Sequence, residues 1–170
     1  SANFENTQSS ELSAKSGKMT ISATSDFTNA GNLISENGDI SITSASFENS
    51  QSCELSAKSG KMTITATSDF TNAGNITAAG NLVINQVVNF TTTGNITASG
   101  VEIEATGDFT NSGKFDSSTG LLKITAKSIT TFGEINAQSG EFESTEAGIV
   151  FGENSENTFE AGLTVTSAGN

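Results

Sequence analysis

Apolar residues recur along this chain at a repeating interval. Phenylalanine marks the phase. Phe4, Phe27, Phe47, Phe70, Phe90 and Phe109, continued by Ile129 and Ile149, are spaced by 23, 20, 23, 20, 19, 20 and 20 residues. Six residues after the marker stands a second large apolar residue: Leu33, Ile76, Ile96, Phe115 or Ile135. An apolar pair with one residue between follows: Ile40/Ile42, Leu82/Ile84, Val101/Ile103 and Leu122/Ile124. In the two 23-residue units these positions shift to Leu12 and Leu55, with Met19/Ile21 and Met62/Ile64. The local period of two predicts short strands and no helices. The polar residues between, such as Thr20, Ser22, Thr63 and Thr65, suit a pleated surface. Turn chemistry separates the strands, as at Asn29-Ala30-Gly31-Asn32, Asn37-Gly38-Asp39 and Ala79-Gly80-Asn81.

A longer repeat overlies the short one. Phe4 to Leu33 matches Phe47 to Ile76 at 26 of 30 positions, with an offset of 43 residues. That block is one 23-residue unit plus one 20-residue unit. The three extra residues fall in turns, two before the Leu and one after the pair, so the apolar positions keep their phase. Two positions after the marker the residues are Asn6, Asn29, Asn49, Asn72, Thr92, Asn111 and Thr131. Antiparallel hairpins give no reason to repeat one amide at one phase. Stacked coils do, because like amides about 4.8 Å apart hydrogen-bond along the stack. The expected fold is all-β: a right-handed parallel β-helix, a solenoid of about eight coils of 19–23 residues, three short strands per coil. At about 4.8 Å per coil the rod is roughly 38 Å long. Phe4, Phe27, Phe47, Phe70, Phe90, Phe109 and Ile129 form its core column. Asn6, Asn29, Asn49, Asn72 and Asn111 form its amide ladder. Residues 1–170 read as a single β-helical segment, with an irregular last coil at 149–170. Ser144 falls where an inward aliphatic is expected.

Composition removes whole classes of function. Ser (25), Thr (24), Asn (17) and Gly (17) dominate, which alone would fit disorder, but the fixed apolar phase argues against it. With no His there is no Ser-His-Asp triad and no imidazole metal site. No Arg and a net charge of −12 argue against a nucleic-acid partner. One Cys cannot make an internal disulfide. No apolar run approaches the roughly 20 residues of a membrane span. No signal peptide opens the chain, which reads as cytosolic or as a piece of an exported protein. Both ends fall in mid-pattern without polar caps, so a segment of a longer array, or a subunit stacking end to end with copies of itself, is expected.

The phrase Asp-Phe-Thr-Asn-x-Gly-(Asn/Lys)-(Ile/Phe), at Asp69 to Ile76 and Asp108 to Phe115, followed by an apolar-x-apolar strand, resembles a known family. It is similar to the repeats of the filamentous haemagglutinin-like exoproteins of bacterial two-partner secretion, which include surface adhesins and the stalks of contact-dependent inhibition toxins. The resemblance covers roughly residues 4 to 143. It implies a β-helical fibre, extracellular or on the cell surface, exported through an outer-membrane secretion pore. An adhesive target, a host or bacterial surface receptor or glycan, is implied with it. The expected function is a non-catalytic structural rod of a secreted or cell-surface fibre. A self-assembling extracellular filament subunit and a β-helical polysaccharide-binding or -cleaving protein are the alternatives.

Individual residues offer little site chemistry, and no cofactor, metal or catalytic residue is assigned. Asp26, Asp69 and Asp108 precede the marker Phe. Asp26 and Asp69 would lie about 10 Å apart, too far for one ion, and turn capping explains them. Glu102/Glu104, and Glu141, Glu143 and Glu146, could mimic a glycosidase carboxylate pair, but an outward strand offers no burial to split their pKa values. The Thr and Ser at Thr20/Ser22, Ser41/Thr43 and Thr63/Thr65 form an outward hydroxyl ladder that breaks at Val83. Lys15, Lys18, Lys58 and Lys61 read as a solvated basic turn pairing with Glu11 and Glu54. Cys53 stands where Ser10 stands in the duplicate and reads as a tolerated Ser-like position. With the Phe column inside, Phe132 and Phe151 remain as outward aromatics.

Overall fold

A computed structural model describes residues 2–153 and 155–168. Its described residues form strands, turns and bends, wound as a parallel solenoid of eight coils. Coils are numbered here from their leading residue, coil 1 at Phe4 through coil 8 at Ile149. The first face is an eight-stranded parallel sheet. Its strands are Phe4–Asn6, Phe27–Asn29, Phe47–Asn49, Phe70–Asn72, Phe90–Thr92, Asp108–Asn111, Ser128–Thr131 and Ile149–Phe151. The second face carries Glu11–Ala14, Asn32–Ser35, Glu54–Ala57, Asn75–Ala78 and Asn95–Ala98. The third carries Met19–Ser22, Ile40–Ser44, Met62–Ala66, Leu82–Val87 and Val101–Ala105. From coil 6 onward the second and third strands fuse into single long strands, Lys114–Ala126, Glu134–Ser144 and Asn157–Ser167. Three short strands per coil is therefore the rule only for coils 1 to 5. The reason lies at the corner between these two faces. Coils 1 and 2 turn there through Lys-Ser-Gly-Lys and Glu-Asn-Gly-Asp, with Gly17 at φ 81°. In coils 6 and 7, Ser-, Thr- and Gln-bearing corners stay extended, and pairing is interrupted only briefly, between Ser117 and Leu121 and between Ala137 and Ser139.

The register is one residue on its equivalent in the next coil: Phe27 pairs with Phe47, Leu33 with Leu55, Ile42 with Ile64. Period-two alternation then buries one side of the strands of coils 2 to 7, as in the burial of Met62, Ile64 and Ala66 along the third face of coil 3. Because equivalent positions stack, the interior resolves into columns of similar residues, Phe on Phe and then Ile in one, Met, Ile, Leu and Val in another, and burial of each depends on the coil above and below. Leu12 shows the dependence. It shares the column of Leu33 and Leu55, yet it is 39% exposed in coil 1, where those two are fully buried.

One register differs from the sequence pattern. Ser144 does not replace an aliphatic. Leu122 pairs with Gly140, Ile124 with Phe142 and Ala126 with Ser144. Four steps separate Ser117 from Leu121, but two separate Ala137 from Ser139, so the corner of coil 7 is shorter and the apolar pair arrives early. Ser144 thus belongs to a column of small side chains, and its hydroxyl donates to the carbonyl of Ala147. Gly140 leaves an inward gap that the next coil fills. A Cβ there would lie 2.5 Å from the ring of Phe159, which packs edge-on against Phe142 at 5.7 Å.

Candidate functional site

The most organised chemistry lies in the interior. The first-face phenylalanines stack nearly parallel: ring centroids are 5.1 Å apart for Phe4–Phe27 and Phe27–Phe47, 4.6 Å for Phe47–Phe70, 4.7 Å for Phe70–Phe90 and 4.8 Å for Phe90–Phe109. Ile129 follows in register on Phe109 and is fully buried. Stacking follows from the backbone: in-register parallel strands fix like side chains at the strand spacing.

Two residues on, the buried amides form a directional chain. Asn6 Nδ2 donates to Asn29 Oδ1 at 2.8 Å, Asn29 to Asn49 at 2.9 Å, and Asn49 to Asn72 at 2.8 Å. Asn72 then donates to the Thr92 hydroxyl at 3.1 Å, which donates to the Gly94 carbonyl. A second run joins Asn111 Nδ2 to Thr131 Oγ1 at 2.9 Å. The other amide proton serves the backbone where the chain enters the second face: Asn6 donates to the Asn32 carbonyl, Asn29 to that of Glu54, Asn49 to that of Asn75. Asn6, Asn29 and Asn49 therefore each tie their coil to the next twice, once through an amide and once through the backbone.

Phe151 follows this column in register yet stays 37% exposed, as expected of an outward aromatic. It pairs with Thr131, and one edge of its ring meets Phe142 at 5.6 Å. Phe132 is outward, 54% exposed, and lies over Gly152, where a Cβ would meet its ring at 2.2 Å.

The surface candidates disperse. Asp69 and Asp108 cap neighbours across coils: Asn89 Nδ2 donates to Asp69 at 3.0 Å and Ser128 Oγ to Asp108 at 2.7 Å. The backbone N–H of Asp26 faces Asn3 Oδ1 at 3.5 Å. No group of three or more metal-ligating side chains forms among the described residues. Glu102 is drawn to Lys123 at 3.3 Å and Glu146 to Lys127 at 3.3 Å, both in solvent. Lys123 stands between Glu102 and Glu141 in the stack. The hydroxyl ladder includes a bond from Thr65 Oγ1 to Asn85 Oδ1 at 2.8 Å. The basic turn is corrected in its partner. Lys58 bonds Glu36 at 2.9 Å, a residue of the previous coil, and not Glu54. That hydrogen bond holds the Lys58 ammonium above its ordinary pKa, with Glu36, Glu54 and Glu11 adding attraction. Lys114 likewise binds Glu134 at 2.6 Å, and its pKa is raised for the same reason. These cross-coil pairs escape a reading that looks for partners within one unit. Their signal is an opposite charge at the same phase about one coil away. Exposed as they are, each contributes little to stability. Cys53 is buried, its thiol 3.5 Å from the Gln51 carbonyl, and burial pushes its pKa up.

Parallel coils in register, largely polar outer faces and columns of equivalent interior residues define a β-solenoid repeat protein. Its repeat is the haemagglutinin repeat: that family matches residues 6–55, 54–113 and 97–170, and the chain belongs to it. No curated protein and no solved structure matches the chain.

Proposed function

We propose that this chain is a non-catalytic structural rod of a secreted or cell-surface β-helical fibre, contributing to adhesion or carrying a distal domain away from the cell. Residues 1–170 serve as one segment of a longer repeat array. An outer-membrane pore exports it, and a receptor or glycan on another surface is met by the fibre as a whole. The Phe column and the Asn ladder are structural in this reading: they hold each coil on the next. The observation that carries the proposal is the continuous interior, in which coil after coil stacks an apolar or amide side chain on its counterpart, while Ser, Thr, Asn and carboxylates face outward. Such a stack transmits length, and membership of the haemagglutinin repeat family supports the same use. The outer carboxylates fit a solvated surface better than an acid–base pair, since Glu102 is exposed beside Lys123. Antibody raised against this chain and applied to intact producing cells should decorate fibres projecting from the surface in electron micrographs. Label confined to the cytosol would overturn the proposal. Reducing-end assays on acidic polysaccharides are expected to stay blank.

A further inference from the structure

Coils 1 to 4 alternate in two properties along the second face, and coils 1 to 3 in a third. The first is shape. Where the chain turns from first to second face, coils 1 and 3 carry four-residue loops, Thr7-Gln8-Ser9-Ser10 and Ser50-Gln51-Ser52-Cys53. Coils 2 and 4 turn in two residues, Ala30-Gly31 and Ala73-Gly74. Ser9 and Ser52 share a left-handed backbone, φ 64° and 65°, so both loops adopt one conformation. Between them lies a cleft of about 560 Å³ floored by Ala30-Gly31. The second property is the leading residue of the strand face, stacked in register as Glu11, Asn32, Glu54 and Asn75. The third is charge at the far corner: Lys15 and Lys18 in coil 1, Glu36 and Asp39 in coil 2, Lys58 and Lys61 in coil 3, then uncharged Ala79 and Asn81.

A two-step alternation is complementary to its own reversal. A second copy can be turned end over end about an axis lying across the face between coils 2 and 3. Coil 1 then meets coil 4 and coil 2 meets coil 3, with like corners opposed. Each loop faces a short turn, each Glu faces an Asn, and Lys58 and Lys61 face Glu36 and Asp39 twice. No like charges are opposed at any of these positions. A parallel copy, by contrast, sets the loop corner against the charged corner. Within one copy the Lys58 ammonium already bonds Glu36 across the neighbouring corner, at 2.9 Å.

We propose that the second face of coils 1 to 4 is a docking surface for a second copy of this chain, held antiparallel by interlocking loops and reciprocal Lys–carboxylate pairs. Four coils stacked over about 19 Å, with four-residue strands about 13 Å long, offer a footprint of roughly 250 Å², well under the roughly 800 Å² per partner of a standard interface, so the contact is weak and salt-sensitive. The proposal is independent of where the protein resides.

Sedimentation equilibrium of the whole chain up to about 1 mM tests it, with two charge variants. Lys58→Glu with Lys61→Glu makes the central corner all acidic. Glu36→Lys with Asp39→Lys makes it all basic. Each variant alone is expected to be monomeric, and their equimolar mixture to form a heterodimer, which cross-coil pairing within one chain cannot produce. Thermal melts establish that both variants are folded. Ala30→Gln, which fills the cleft floor without touching charge, is expected to weaken wild-type dimerisation by about tenfold. Wild-type protein that stays monomeric throughout, or a mixture no more associated than its parts, overturns the proposal.

Discussion

At the scale of the residue, the interior amides carry the greatest consequence. Asn49 accepts from Asn29 and donates to Asn72 and to the Asn75 carbonyl. Asn49→Ala orphans groups on three sides, each costing about 1–3 kcal/mol when buried. A loss of about 3 kcal/mol is expected, lowering Tm by roughly 6–12 °C in a calorimetric melt. Thr92→Asn should hold or raise Tm, because it places an amide between the two separate runs of the ladder. Cys53 gives a pH-dependent signature. Burial raises its thiol pKa, so the folded state favours the protonated form. Its contribution is present below the thiol's ordinary pKa and is lost as pH rises through the raised one. Alkylation of native protein by iodoacetamide near pH 8 should run at least about tenfold slower than in denaturant; equal rates would contradict a buried thiol. The Phe and Asn recurrences were visible in the sequence as phase. The contact of Phe151 with Phe142 was not, because an aromatic in a column of Asn and Thr carries no signal of its own partner.

At the scale of the element, the turns decide how closely coils approach. A Cβ on Gly113 would stand 2.0 Å from the Gly94 carbonyl oxygen, and one on Gly133 would stand 1.9 Å from that of Gly113. Both obstacles are backbone, which cannot swing aside. Gly113→Ala is therefore expected to cost several kcal/mol, about 3 or more, whereas Gly148→Ala, with open space around it, should stay within about 0.5 kcal/mol of wild type. Paired chemical-denaturation curves would check this; equal midpoints would sink it. Strand existence and spacing were legible because period two and the 43-residue duplication both survive insertion in turns. The fused strands of coils 6 and 7, and the early arrival of Phe142, were not. Corner length is set by which residues can stay extended while pairing with the adjacent coil.

At the scale of the molecule, stability propagates through neighbours. Phe70 is fully buried between Phe47 and Phe90. Phe70→Asp places a charge in mid-stack, so coils on both sides should lose protection in hydrogen exchange, with Tm falling far more than for Glu102→Gln on the outer face. Equal melting temperatures would refute the stacking order. The same neighbour dependence makes a second copy plausible as a partner on physical grounds, because a surface built from alternating coils repeats its own complement.

The sequence by itself determined the winding. Identical apolar and amide positions at one phase can be satisfied together only if successive coils lie over one another, and this fixed the fold class, the coil count and the family. Only the tertiary structure decided which charges meet, where the corners shorten, and that Glu36 rather than Glu54 holds Lys58. Those outcomes depend on side chains from different coils reaching across about 5 Å of stack, a distance that a one-dimensional pattern does not contain.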